Sequence, residues 1–319
     1  PLALLSFVPH AASWPSTPQD FLYENALIHV LNTLLVFWLA YRFADRLPWR
    51  VTSPAWMALL AALWWGGNPL LFSTSAMTIQ RMTSLSATFC LLGCLLYVAG
   101  WQQLHGRNPR AGLLLMVLGV GGGTVLAVFA KENAAILPGL ILLLDRIVLS
   151  RSVPVSIQPT GVAARAYTAL RIVLLWAPSF AVLAYLALKL PEFSAGHGGR
   201  AFTLSERLFT EARILLDYLK LLLFPVRSEL GPFHDDYPLS TGLLQPVSTL
   251  VCVALLALSV VLAWLWRKSE WRLFSLAVGW FLWAHLLEST IVPLELYFEH
   301  RNYLPAVGVA LTLAALLFH

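Results

Sequence analysis

Residues 299–305 read Glu-His-Arg-Asn-Tyr-Leu-Pro, which places an acid, an imidazole, a guanidinium, an amide and a phenol in five consecutive positions. Apolar runs flank this cluster, in a chain of which only 12% of residues are charged. Such groups transfer protons and bind anions, so the cluster predicts either a solvated surface loop or a catalytic or binding site. His285, Glu288 and Glu295 lie just before Glu299, and acids clustered at the edge of a low-dielectric region are expected to raise one another's pKa, which suits acid or base catalysis.

Two further cations, Arg81 and Lys131, interrupt apolar runs and are candidate phosphate ligands. Arg81 follows Gln80 in a polar stretch after an Asn-Pro pair. A guanidinium there suits bidentate phosphate binding, with snorkelling to the interface as the alternative. Lys131 is followed by Glu132 between two apolar runs, where a Lys can hold phosphate and a Glu can act as a base or metal ligand. Two adjacent opposite charges can also simply neutralise each other at a surface.

Two other polar groupings carry weaker signals. His234, Asp235 and Asp236 are consecutive in a loop and could bind a divalent cation or supply a base, but neighbouring residues do not all face one way, so a solvated loop is the alternative. Asn25 and His29, together with the Asn at position 32, form a stripe on one helix face. Such a stripe predicts hydrogen bonds between membrane helices, or else a contribution to a site.

Composition places these residues in a membrane protein. The chain is 59% hydrophobic with mean hydropathy +0.73, and several runs reach the roughly 20 apolar residues that cross a bilayer. We therefore predict a single all-α, polytopic membrane helix bundle over residues 1–319, as a piece of a longer chain. Nine spans are expected at 21–41, 54–72, 85–103, 111–130, 134–149, 169–190, 244–266, 273–287 and 304 to the end. Residues 204–224 read as an amphipathic interfacial helix within an extracytoplasmic region, 191–243.

Charge distribution predicts the orientation. The loops near 42–50, 104–111, 145–171 and 267–272 carry twelve Lys or Arg and three acids, so they are expected to be cytoplasmic. The polar segments described above then all fall on the extracytoplasmic side. The pI of about 9.3 reflects this sorting, and a nucleic-acid partner is not expected. No P-loop, dinucleotide-binding glycine motif, GxSxG elbow or HExxH is present, which leaves nucleotide-driven mechanisms without support.

The order and spacing of three motifs carry a resemblance. They are Asn-Pro followed by Gln-Arg-Met ending at Met82, Lys-Glu-Asn at 131–133 followed by Leu-Pro and Leu-Leu-Leu-Asp145, and the 299–305 cluster. Together they resemble the membrane part of the transmembrane tetratricopeptide-repeat O-mannosyltransferases and their bacterial relatives, over residues 1 to 317. These are similar to other GT-C glycosyltransferases, which take a sugar from a polyprenyl phosphate outside the cytoplasm.

The resemblance implies roles for residues already identified. Arg81, Lys131 and Arg301 would neutralise the lipid-linked phosphate, while Glu132, Glu299 and His300 would line the same pocket. Further substrate contacts are expected from the remaining residues of the motifs and loops: Gln80, Tyr303, His234 and Asp235. The catalytic acid of GT-C enzymes usually lies in the first outer loop, of which Asp20 and Glu24 remain here. No tetratricopeptide repeat is present in the sequence.

We therefore expect a glycosyltransferase of a bacterial inner membrane, with its site facing the periplasm. It would move a sugar from a polyprenyl-phosphate donor to a protein or glycan hydroxyl, with a divalent metal as a possible cofactor. The alternatives are an oligosaccharide ligase or polymerase using a pyrophosphate-linked glycan, a transporter, and a non-catalytic membrane scaffold. Clustering of the polar residues on one side, and no internal repeat in the hydropathy, argue against a transporter.

Overall fold

The computed structural model describes residues 1–13, 17–47, 49–106, 108–152, 159–231, 234 and 236–318, and every regular element within them is a helix. A short helix (Leu2–Leu5) and a 3-10 segment (Val8–Ser13) come first. The longer helices are α1 (Pro18–Ala44), α2 (Pro54–Gly66), α3 (Pro69–Ala76), α4 (Thr78–Leu104), α5 (Pro109–Ala130), α6 (Glu132–Arg151), α7 (Gly161–Gly199), α8 (Leu204–Leu223), α9 (Ser248–Trp266), α10 (Arg272–Ala284) and α11 (Pro305–Leu317).

Six of these helices in the described part of the chain are long and apolar enough to cross a membrane: α1, α4, α5, α6, α7 and α9. A seventh span is present if α2 and α3, which are bent by 58°, are taken together. α10 and α11 have 13 residues each, about 20 Å of helix, which is shorter than the roughly 30 Å hydrocarbon core. The structure confirms an all-α chain with several membrane-length helices, and it does not confirm the count of nine spans.

The bend between α2 and α3 follows from its sequence. Gly67 ends α2, and Pro69 starts α3 at a position where its missing N–H has no helical partner to lose. The Asn68 side chain caps α3 by accepting a hydrogen bond from Leu70 N–H at 3.1 Å, and its amide donates to Leu222 O at 2.8 Å. The break is therefore a capped junction fixed against α8.

The polar stripe on α1 joins neighbouring helices, as one of its two interpretations predicted. Asn25 donates to Met77 O at 3.1 Å, and His29 lies 2.8 Å from both the Tyr303 hydroxyl and Gly66 O. Asn32 donates to Ser84 O at 2.9 Å. Because these side chains are buried, each hydrogen bond satisfies a group that would otherwise be costly in an apolar interior.

Glycines let α4 and α5 approach closely. A Cβ at Gly119 would lie 2.7 Å from Gly93 O, and one at Gly112 would lie 2.6 Å from Gly100 O. Gly119 belongs to the glycine-rich run 119–123 of α5, and its contacts serve helix packing. Gly121 and Gly122 in the same run meet nothing within 4 Å.

The Arg-rich loops meet at one end of the bundle. Arg42 donates to Gln102 at 2.8 Å, and Arg272 donates to Arg46 O at 3.3 Å. The polar segments around 80, 131 and 300 lie at the other end. This two-ended distribution of polar groups matches the one predicted from charge.

α8 is helical over nearly the predicted range, and a capping box of Thr203 and Glu206 fixes its start. The division into an apolar buried face and a polar exposed face that an amphipathic helix implies holds only in part. Leu208 is 41% exposed, whereas Arg207 and Glu211 are buried. Residues 191–199, predicted as loop, continue α7.

Candidate functional site

A cavity of about 910 Å³ lies at the end of the bundle opposite the Arg-rich loops. It is bounded by the start of α4, the junction of α5 and α6, the middle of α7 and the segment between α10 and α11. Apolar side chains form most of its wall, including Ile79, Met82, Val182, Tyr185, Phe193, Leu287, Leu294 and Phe298. The residues predicted for a site that line it are Gln80, Lys131, Glu132, His300 and Arg301, together with the candidate acids Glu288 and Glu295.

Lys131 is placed in the cavity by a sharp break in the chain. α5 ends at Ala130, and Lys131 adopts an extended backbone before the 3-10 turn that opens α6. Its ammonium lies 2.7 Å from Glu288 Oε1 and 3.2 Å from Thr83 Oγ1. An ammonium has three protons, so these contacts leave one donor for a ligand in the cavity.

Glu288 is the negatively charged partner of the Lys131 ion pair. Burial by itself would raise the pKa of Glu288, but Lys131 and Arg301 outweigh burial and lower that pKa to about 2. Both members of the pair are about nine-tenths buried. Glu288 is therefore ionised at neutral pH and holds the Lys131 ammonium in position.

Arg301 donates hydrogen bonds to the backbone of the segment that precedes it. Its guanidinium donates to Leu296 O at 2.6 Å and to Glu295 O at 2.7 Å, and it lies 3.6 Å from Glu211 Oε1. These contacts fold residues 295–301 into a tight loop while Arg301 still lines the cavity. Arg301 thus shapes the site and contributes positive potential to it.

Arg207 and Glu211 support this loop from behind, and sequence reasoning did not single them out. Arg207 is fully buried and donates to Thr290 O and Glu288 O, both at 2.7 Å. It also pairs with Glu211 at 3.0 Å. Burial raises the pKa of Glu211 to about 7, against the opposing effect of the two arginines. Their i, i+4 spacing inside an amphipathic helix was the available signal, but their partners lie some 80 residues away.

His300 and Glu132 are the cavity's proton-transfer candidates. Burial and the nearby Lys131 ammonium lower the pKa of His300 to about 3, so its imidazole is neutral and can accept a proton or a hydrogen bond. Glu132 is exposed to the cavity and is the predicted catalytic acid that lies in it. A carboxylate and a neutral imidazole beside an ammonium can accept a proton and stabilise a nearby anion.

Arg81 lies outside this cavity, and its geometry does not support the phosphate contact expected of it. The guanidinium pairs with Glu24 at 2.7 Å, donates to Asn25 at 2.8 Å and to Ser6 O at 3.0 Å, and packs over the Phe7 ring. With 1% of its side chain exposed, it anchors the N-terminal segment to α1 and α4. The physical reason is that its donors are already used by protein acceptors.

The predicted acids Asp20 and Glu24 also lie outside the cavity. Asp20 accepts a hydrogen bond from Thr17 at 2.9 Å in the first turn of α1. Glu24 is occupied by Arg81 and by His10, at 2.7 and 2.9 Å. Neither acid is among the residues that line the cavity, whereas the predicted catalytic residue Glu132 is.

The 299–305 cluster divides between the site and the core. Glu299 is buried and accepts a hydrogen bond from Gly231 N–H at 2.7 Å, and burial raises its pKa. Tyr303 is fully buried, with its hydroxyl 2.8 Å from His29, so it belongs to the helix core. Neither lines the cavity, which corrects the roles expected of them.

Of the remaining loop candidates, His234 is not among the residues that line the cavity. His234 stacks on Tyr297, with ring centroids 4.1 Å apart, and its Nε2 lies 3.1 Å from Glu229 O. Asp235 lies outside the described residues. Within the described ranges, no group of three or more His, Cys, Asp or Glu is arranged to hold a metal ion.

Comparison of the chain with family models, with curated protein sequences and with solved structures found no match.

Proposed function

We propose that this protein is a GT-C type membrane glycosyltransferase that uses a polyprenyl-phosphate-linked sugar. The observation that carries the proposal is the 910 Å³ cavity, whose apolar wall ends at a polar floor containing Lys131, His300 and Arg301. An amphiphile with an isoprenoid chain and an anionic head has the same division of polarity. A soluble sugar nucleotide would leave the apolar wall without a partner.

The donor is expected to lie with its isoprenoid along α7. Val182, Tyr185 and Phe193 form that side of the cavity, and little of α7 is buried inside the bundle. Its phosphate then meets the free Lys131 donor and the neutral imidazole of His300. The positive charge of Lys131 suits the single negative charge of a phosphodiester.

The chemistry follows from the same arrangement. The acceptor hydroxyl attacks the anomeric carbon with inversion while Glu132 takes its proton. The bond between that carbon and the phosphate oxygen breaks, and its electron pair goes to the polyprenyl phosphate, whose growing charge Lys131 stabilises. The products are the glycosylated acceptor and polyprenyl phosphate, and no metal ion is required by this balance.

The charge distribution supports an orientation. With the Arg-rich end in the cytoplasm, the cavity opens on the other side, which in a bacterial inner membrane is the periplasm. The acceptor is then a protein or glycan hydroxyl outside the cytoplasm.

The test uses the purified full chain in lipid nanodiscs with a panel of polyprenyl-phosphate-linked hexoses, measuring release of polyprenyl phosphate with and without peptide acceptors. We expect Glu132→Gln to lower kcat by about 10²-fold or more, and Lys131→Met to lower kcat/KM by a similar factor. The matched controls are Glu192→Gln and Lys189→Met on an exposed part of α7, outside the cavity lining.

Two results would refute the proposal. One is release at the wild-type rate by both cavity variants. The other, measured with the same protein in sealed proteoliposomes, is movement of the labelled donor across the bilayer with no covalent product, which identifies a transporter.

A further inference from the structure

A second cavity, of about 160 Å³, lies at the Arg-rich end of the bundle. Trp101 and His105 at the end of α4, and Thr168 and Arg171 of α7, line it. Met82, which lines the first cavity, precedes Trp101 on the same helix by about 30 Å of helical rise. The two cavities are therefore separated by about one hydrocarbon thickness.

Two of the side chains that line this second cavity, Trp101 and Arg171, carry buried donors without acceptors. Trp101 is 1% exposed, and its indole Nε1 has no hydrogen-bond partner among the described residues. The same holds for Nη2 of Arg171. Indole and guanidinium groups only donate, so what these atoms lack is an acceptor. Buried polar atoms are normally paired, which points to a ligand rich in acceptor oxygens.

The nearest carboxylate, Asp145, does not accept hydrogen bonds from these two donors. Asp145 is fully buried, and its Oδ1 accepts from the hydroxyls of Tyr97 at 3.1 Å and Tyr167 at 2.5 Å. Its Oδ2 lies 3.0 Å from Nε of Arg171 and 3.4 Å from Ser150. Asp145 thus fixes the guanidinium from one side and leaves Nη2 unpaired.

The charge and the volume of the second cavity restrict the class of ligand that it can bind. The Arg46 guanidinium lies 5.1 Å from the Trp101 ring, so two guanidinium groups lie near the cavity against the single Asp145 carboxylate, and the surroundings stay cationic. A volume of 160 Å³ equals about five water molecules at roughly 30 Å³ each, which accommodates a phosphate group but not a nucleotide. We infer that this cavity binds a phosphate group, carried either by an anionic phospholipid headgroup or by free phosphate.

The ligand is tested on the purified full chain in nonionic detergent. Thermal unfolding is followed during titration with phosphatidylglycerol, with diacylglycerol of the same acyl chains, and with inorganic phosphate. A saturable rise in Tm with phosphatidylglycerol or phosphate, and none with diacylglycerol, supports the site. Phosphatidylglycerol alone identifies the lipid as the source, and an equal effect of inorganic phosphate identifies the free anion. A diacylglycerol effect as large as that of phosphatidylglycerol overturns the inference.

Variants locate the binding. Arg171→Gln is expected to weaken affinity at least tenfold. Arg165→Gln, on the exposed face of α7 and outside the lining, removes the same charge and should change affinity less than twofold.

Because Arg171 also holds Asp145, a second variant is needed in case the first unfolds. Thr168→Leu fills the cavity from an exposed helix position and leaves the Asp145 contacts intact. Wild-type affinity in Thr168→Leu overturns the inference.

Discussion

The buried ion pair of Lys131 and Glu288 gives a quantitative prediction for stability. Their side chains are 11% and 10% exposed, and the two charged atoms are 2.7 Å apart. Removing one partner leaves a nearly buried charge uncompensated, which costs about 3 kcal/mol, the lower end of the range for such pairs because about a tenth of each side chain reaches the cavity. For a chain of this length, that corresponds to a drop in Tm of about 5 °C.

The assay is a double-mutant cycle with Lys131→Met, Glu288→Gln and both together, measured by thermal unfolding in detergent. We expect each single variant to lose about 5 °C and the double variant to lose much less than their sum, with a coupling of about 2 kcal/mol. The exposed pair Lys189 and Glu192 supplies the control cycle, for which no measurable coupling is expected.

The sign of the pH dependence is fixed by Glu288. Its folded pKa, about 2, lies below the ordinary value of 4.5, so its stabilisation is present above pH 4.5 and is lost as the pH falls toward 2. The Tm difference between wild type and Glu288→Gln should therefore be constant from pH 7 to pH 5 and shrink below that. Two results would refute this reasoning: effects of the two single variants on stability that simply add in the double variant, or a Tm difference between wild type and Glu288→Gln that persists at pH 2.

Three other outcomes are expected. The pKa of Glu211 in the folded protein is raised to about 7, above its ordinary value of 4.5. The contribution of Glu211 to stability is therefore present below pH 4.5 and declines as the pH rises to 7. In a series of Tm values measured against pH, a Glu211→Gln variant should lack this decline. Gly308→Ala would place a methyl group 2.6 Å from Trp280 and should cost about 1–3 kcal/mol, measured as lower Tm, while Gly198→Ala, which meets nothing within 4 Å, serves as its control. Arg81→Met should release the N-terminal segment and speed its proteolysis, without changing donor affinity; unchanged proteolysis together with weakened donor binding would restore Arg81 to the phosphate site.

Local rules predicted much of the helical scaffold. The break at Asn68 and Pro69 follows from capping and from proline's missing N–H, and the stripe of Asn25 and His29 follows from helical periodicity. Both depend on residues close together in sequence; the stripe was predicted and found, and the break lies inside the single span expected at 54–72. The ends of the two short helices α10 and α11 were harder to predict, because hydropathy does not reveal where an apolar run leaves the helical conformation.

The candidate site was predictable only as a set of residue types. Lys131, His300 and Arg301 share the cavity as expected, whereas Arg81 does not. The difference lies in partners distant in sequence: Glu24 captures the Arg81 guanidinium across 57 positions, and periodicity contains no information about such pairing. Arg207 was missed for a related reason, since its acceptors are backbone carbonyls that leave no trace in residue types.

The segment 299–305 touches three different neighbours in seven residues. His300 faces the cavity, Glu299 binds the loop at Gly231, and Tyr303 enters the helix core beside His29. A mutational scan scored only by activity would therefore find almost every position intolerant, for unrelated reasons. Separating these reasons requires a parallel measurement of protein abundance, in which Tyr303 variants should disappear from the membrane while His300 variants accumulate as inactive protein.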